Sequence, residues 1–227
     1  MPYLILFILL LLAVFLPQFW VRNTLQRYHQ KAEPNFPGTG GELARHLLDR
    51  FDLQHIKVES TNEGDHYDPL NQVVRLTEDK LTGKTLTSIT VAAHECGHAL
   101  QHAGKEPLFQ LRTSLAGASV WASRIGSFLL FAAPFSVIIA RAPSAAVLNL
   151  TGAFLILGFG ILVQLITLPV ELDASFKKAM PILESGYLEP QQIKGARKIL
   201  RAAAWTYVAA SLASLLNFWR WLSVLRR

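Results

Sequence analysis

Seven consecutive residues carry the chemistry most easily read from this chain: Ala93-His94-Glu95-Cys96-Gly97-His98-Ala99. They contain an H-E-x-x-H spacing, which on a helix of 3.6 residues per turn puts His94 and His98 about 40° apart, one turn from each other. Both imidazoles can then reach one ion, with Glu95 beside them. Zn2+ suits that arrangement, because it accepts imidazole nitrogen, lowers the pKa of its water towards ~7 and polarises a carbonyl while a neighbouring carboxylate takes the proton. With seven His and ten Glu in 227 residues, such a spacing arises by chance in roughly 1 chain in 100 of this composition. A catalytic site needs three protein ligands and an open fourth position, so a third ligand is the test of the reading.

The motif must lie on a helix. Leu86, Ile89, Thr90, Ala93 and Gly97 recur at helical spacing, Thr85 or Thr87 can cap the start, and Gly104 with Pro107 ends it. Upstream, Thr39 and Glu42 form a capping-box pattern, and Leu43, Ala44, Leu47, Leu48 and Phe51 give the following helix one apolar face. His55–Glu59 and Gln72–Leu76 read as two short strands around a turn-rich stretch, 62–71. The strand just before the motif helix could offer its edge to an extended peptide. Asp65-His66-Tyr67-Asp68-Pro69 is first of all a turn, in which His66 and Tyr67 are candidate oxyanion stabilisers. His102 and Tyr207 complete that group of candidates. The single cysteine, Cys96, excludes an internal disulfide and reads as a small residue on a packed helix.

The composition sets the motif beside a membrane. Hydrophobic residues make up 51% of the chain and charged ones 17%, and the apolar residues fall in blocks near the ~20 residues a span requires. Tyr3–Val21 reads as an uncleaved anchor, since no Lys or Arg precedes it and no small-x-small site follows. A second block ends near Ala140, with Arg124 snorkelling and Pro134 marking a kink; Ala145–Val170 is a third and Ala203–Leu225 a fourth. The third block ends in Leu168-Pro169-Val170-Glu171, which offers the missing carboxylate. Pro190 opens an amphipathic helix with Ile193, Ala196, Ile199 and Leu200 on one side.

The net charge of +6 does not point to nucleic acid, because the basic residues sit at the ends of apolar blocks rather than in a stripe. Arg22, Arg27, Lys31, Lys105 and Arg112 border the first large loop, Lys177, Lys178, Lys194, Arg197, Lys198 and Arg201 fill the third, and Arg141 alone lies between. By the positive-inside rule both large loops are cytoplasmic, which places Glu171 on the same side as the motif.

Stretches along nearly the whole chain, an N-terminal span, Asp65–Pro69 with Val73-Val74-Arg75-Leu76, Val91-Ala92-Ala93-His94-Glu95 with Gly97-His98-Ala99, Leu168–Glu171 and Thr206-Tyr207-Val208-Ala209-Ala210, resemble the YugP-like family of bacterial membrane proteins described as neutral zinc metallopeptidases. The resemblance implies a zinc-dependent endopeptidase of the plasma membrane, with His94 and His98 as ligands and Glu95 as catalytic acid/base. A more distant likeness is to membrane peptidases of the HtpX type, whose third ligand is the Glu of an E-x-x-A-D pattern. Glu171 and Ala174 match it, but Ser175 stands where the pattern has Asp, so the supporting role of that Asp does not carry over.

The expected fold class is a mainly α-helical multi-pass membrane protein of about four transmembrane segments with a small cytoplasmic zincin-like α+β metallopeptidase part. Residues 1–21 form the anchor, 22–113 the cytoplasmic region with the motif helix, and 114–170 two transmembrane segments. Residues 171–202 form a cytoplasmic loop with the third ligand, and 203–227 a C-terminal transmembrane or interfacial segment. The expected cofactor is Zn2+, held by His94, His98 and Glu171, and the expected partners are a polypeptide substrate and the lipid bilayer. Proteolysis within the bilayer is disfavoured, since the motif helix is too short and polar to span. The competing class is a non-catalytic membrane scaffold or adaptor with a structural zinc site, against which an intact Glu95 argues, because such a site needs no general base.

Overall fold

A computed structural model of the chain describes residues 36–141 and 143–205, together with Leu16, Phe19, Trp20, Asn23, Thr24 and Gln26 of a helical stretch ahead of them. The first helix, α1 (Gly40–Arg50), opens with the expected capping box: Thr39 Oγ1 accepts from Glu42 N–H and the Glu42 carboxylate accepts from Thr39 N–H at 2.7 Å. Its Leu43, Ala44, Leu47 and Leu48 are buried. Three strands follow, β1 (Lys57–Thr61), β2 (His66–Asp68) and β3 (Val73–Thr77), in the order β1-β3-β2. β1 runs parallel and β2 antiparallel to β3.

Two expectations change here. β3 lies in the middle of the sheet with both edges paired, so the strand ahead of the motif helix has no edge to lend a peptide. The turn-rich stretch also holds a strand, β2. It was hidden because Asp68 ends it in a turn at once, accepting from Leu70 and Asn71 N–H at 3.0 and 3.1 Å.

A single helical turn, α2 (Glu78–Leu81), leads to the motif helix α3 (Leu86–Ala103). Thr85 is its N-cap, accepting from Ser88 N–H at 3.1 Å. Gly104 caps the other end, and the left-handed turn beyond it falls on Lys105, with φ 51°. α3 packs on α1 and the sheet, and buries residues on almost every side of its first three turns.

Two long helices complete the architecture, α4 (Pro107–Ala140) and α5 (Pro143–Asp173). They run side by side as a hairpin turned at Arg141, which adopts φ 51°. Residue 152 of one leg faces Leu129 of the other. Pro134 and Pro169 both lie inside these helices. Beyond α5 the chain makes a wide π-helical turn (Ala174–Ala179), a short α-turn (Met180–Ile182) and a second wide turn (Leu183–Tyr187) that breaks at Gly186, φ +122°. Helix α6, residues 190–205, then buries Ala196, Ile199 and Leu200 on its expected face.

The expectation of about four transmembrane segments is corrected. Among the described residues one helical stretch, Pro107–Ser136, is long and apolar enough to cross a membrane. An apolar run marks a stretch that avoids water and not the number of helices that cross a bilayer, and the described helices meet the requirement of length and hydropathy once. The block read as a third span lies within α5, packed along α4. The blocks at 3–21 and 203–225 fall mainly outside the described residues. The zincin-like α+β part is compatible with the sheet and α3.

Candidate metal centre

α3 is dense in buried polar groups where it meets the end of α5. His94, Glu95 and His98 are 8%, 6% and 4% exposed, and Glu171 on α5 is 2% exposed. Such groups are not left buried without compensation. Glu171 Oε2 lies 3.2 Å from His94 Nε2 and 3.3 Å from His98 Nε2, and one ligand atom from each residue falls within 4.8 Å of the others.

Each imidazole is held from behind. The Gln101 amide Nε2 donates to Val170 O and to Asp173 Oδ2, both at 2.9 Å, which fixes its orientation because neither partner can donate in return. Gln101 Oε1 is therefore the acceptor facing His98 Nδ1 at 2.9 Å, so His98 Nδ1 donates. In the neutral ring Nε2 then carries a lone pair, and it meets the carboxylate oxygen Glu171 Oε2. Two acceptors at that distance need a proton or a cation between them. His94 Nδ1 is paired with Ser175 Oγ at 3.1 Å. The other carboxylate oxygen, Glu171 Oε1, is buried and makes no hydrogen bond among the described residues. It lies 3.1 Å from Arg112 Nη2, within ion-pair range but not aligned for a hydrogen bond. Two nitrogens and a carboxylate oxygen converging in this way form a donor set suited to zinc.

Close backbone approach sets the width of the centre. A methyl group on Gly97 would stand 2.8 Å from Ala174 O and 3.3 Å from Lys178 Cβ, so glycine lets the wide turn after α5 rest directly on α3. Burial first of all, with the charges of Glu171 and Asp65, pushes the Glu95 carboxyl up to about 7 against the pull of His94 and Arg112. Burial also acts to raise Asp173, but its hydrogen bond from Gln101 and the charges of Lys178 and Lys177 more than offset this, and it is held low.

The remaining candidates lie elsewhere. Tyr67 is buried and its hydroxyl pairs with His102 Nδ1 at 2.8 Å, while burial and the charge of Asp68 push its pKa up to about 12. The Phe109 ring packs against Tyr67, His98 and His102, with centroids 6.4, 6.0 and 5.7 Å away. His66 Nδ1 is bonded to Gly64 O at 2.7 Å. Tyr207 lies outside the described residues. Cys96 is buried, and burial with the charge of Glu95 pushes its thiol well above the usual range, which keeps it unreactive. A cavity of about 650 Å³ between α1 and the second wide turn, lined by Phe36, Leu43, His46, Ile89 and Tyr187, contains none of the four central residues.

Sequence reasoning missed Gln101 and Arg112, and it set Ser175 aside. Gln101 is three residues past His98, the helical spacing that puts an amide beside an imidazole, and this signal was available. Ser175, which stands where that pattern has Asp, has its Oγ 3.1 Å from His94 Nδ1, within hydrogen-bond reach of the back of a histidine ring. Arg112 had no local signal, because it is brought in by the hairpin.

A family model described as "Putative neutral zinc metallopeptidase" matches residues 3–226. The chain belongs to that family. "Putative membrane protease YugP" of Bacillus subtilis (strain 168) is 36% identical over 226 residues, covering 96% of each chain. No solved structure matches. The family description names zinc, and the His94, His98 and Glu171 cluster could hold a metal ion; a peptidase family implies a polypeptide substrate.

Proposed function

We propose that the protein is a zinc-dependent endopeptidase attached to the bacterial plasma membrane, with its site at the cytoplasmic face. His94, His98 and Glu171 hold the metal. Zinc held there supplies Lewis acidity, making water a nucleophile near neutral pH and polarising the scissile carbonyl. Glu95 takes the proton from the attacking water and returns it to the leaving amine. Gln101 and Ser175 orient the two imidazoles so that Nε2 faces the centre. The observation that carries this reading is the meeting of Glu171 Oε2 with both Nε2 atoms, beside a buried carboxylate that no structural metal site requires.

The membrane part of the reading rests on the outer surface of the hairpin. Phe128, Phe131, Ile138 and Ile139 of α4 and Leu148 of α5 are exposed, Ile139 to 83%, a surface unsuited to water and suited to lipid. The cytoplasmic side follows from the loop charges.

Elemental analysis of detergent-purified protein, wild type beside Glu171→Ala and Glu95→Gln, tests the reading. About one zinc per chain in wild type and Glu95→Gln, with marked loss in Glu171→Ala and loss of protein hydrolysis in both variants, is the expected result. Full zinc in Glu171→Ala removes the third ligand. Hydrolysis unaffected by Glu95→Gln removes the general base, and wild type that hydrolyses no protein leaves the scaffold reading.

A further inference from the structure

The two oxygens of Glu171 face different partners. Oε2 is turned to His94 Nε2 and His98 Nε2, while Oε1 is turned to the Arg112 guanidinium. The side chain is 2% exposed, so water does not explain this split. Arg112 is on the second turn of α4 and Glu171 on the last turn of α5, and the hairpin brings these two turns together. The other basic side chains at this end are engaged elsewhere. Lys178 pairs with Glu106 at 2.6 Å and with Asp173 at 3.5 Å, and Lys177 pairs with Asp173 at 3.3 Å. Arg112 is thus the one basic side chain among the described residues that is ion-paired to the metal-facing carboxylate.

A glutamate can give a metal one oxygen or two. Giving two would fill the position that a hydrolytic site must leave open. We propose that Arg112 is a positioning residue that restricts Glu171 to one-oxygen ligation, holding Oε1 electrostatically away from the metal. This rests on the three-ligand reading above. For Oε1 to reach the same ion as Oε2, the carboxylate must turn out of the guanidinium's field and leave a partly buried cation, 26% exposed, without its counter-charge. The lack of a linear hydrogen bond at Oε1 agrees with a hold made by charge rather than by directed bonding. A purely structural arginine would instead be expected to act through packing or through the bilayer contact of α4.

The test uses cobalt(II) in the full-length detergent-purified protein, because four-coordinate cobalt absorbs visible light far more strongly than five-coordinate cobalt. Wild type, Arg112→Ala, Arg112→Gln and Arg112→Lys are titrated with the metal alone, and stoichiometry and visible spectrum are read with circular dichroism as the folding control. The expected result is an intense four-coordinate spectrum in wild type, kept by Arg112→Lys and lost in Arg112→Ala and Arg112→Gln at unchanged cobalt stoichiometry. A wild-type spectrum in either neutral variant at full occupancy overturns the role given to Arg112. Should Arg112→Ala not fold, Arg112→Gln decides alone. Wild-type protein that takes up no cobalt defeats the three-ligand reading itself, which separates that failure from this one.

Discussion

The two sides of the centre are built in different ways. His94, Glu95 and His98 share one helix, so their mutual spacing is set by backbone hydrogen bonds within five residues and survives small shifts of everything around them. Glu171 and Arg112 arrive on the two legs of a hairpin more than 60 residues long, and their position depends on how that hairpin meets α3. One side is fixed locally and the other by packing. Gln101 joins them, since it bonds His98 on its own helix and Val170 and Asp173 on the hairpin.

Breaking the local side should cost chemistry and leave the metal. Glu95→Gln is expected to lower peptide hydrolysis by about 10²–10⁴-fold with zinc content unchanged, measured on the same preparation. Zinc loss in that variant would show that the two sides are not separable as described. Cutting the joint comes next. Gln101→Leu removes the acceptor at His98 Nδ1 and the donor to the hairpin, and should weaken zinc binding by roughly 10–100-fold in a chelator competition. An unchanged affinity would mean that the hairpin holds His98 in place without Gln101.

Pushing the sides apart is a milder insult. Gly97→Ala places a methyl 2.8 Å from Ala174 O, and overpacking of this kind costs about 1–3 kcal/mol, to be read as a lower midpoint of denaturation. Ala174 belongs to the turn that follows Glu171, so zinc affinity should fall along with stability. Stability lost without any change in affinity would show that the centre tolerates a wider gap than its backbone contact implies.

Asp68 supplies the contrast, because its partners Leu70, Asn71 and Arg75 belong to neither side of the centre. Burial opposes ionisation of Asp68, but hydrogen bonds from Asn71, Arg75 and Leu70 hold its pKa at about 2. A carboxylate depressed in the folded state stabilises the protein above its unfolded pKa of about 4 and loses that contribution as pH falls towards about 2. The stability difference between wild type and Asp68→Asn should therefore shrink over that interval, with zinc content unaffected near neutral pH. A difference that stays constant through the acid range would remove the linkage.

What the sequence discloses follows the same division. The motif helix, its Thr85 cap and the α1 capping box are local patterns and could be read directly. Glu171 could be nominated because it ends an apolar block, although the structure sets it within α5, past Pro169, and not at the start of a new helix. The number of membrane segments differs from the expectation, since an apolar run gives length and avoidance of water but not whether a helix crosses a bilayer. β2 was lost in a stretch whose turn residues outweighed its three strand residues. Arg112 read as a topology charge because nothing within a helical turn of it hints at Glu171. Ser175 was discounted by comparison with an aspartate pattern, although a hydroxyl can also reach an imidazole nitrogen.

The separation of His98 from Glu171, 73 residues, also orders events during synthesis. A growing chain exposes both histidines and Glu95 well before the last turn of α5 has been translated. Until then the chain holds two of the three residues that could hold a metal ion. Loop closure over the hairpin must precede the contact of Glu171 with the two histidines, so that cluster is complete only once both legs exist. The long hairpin therefore fixes an order of assembly in which the motif helix exists before the carboxylate that meets it.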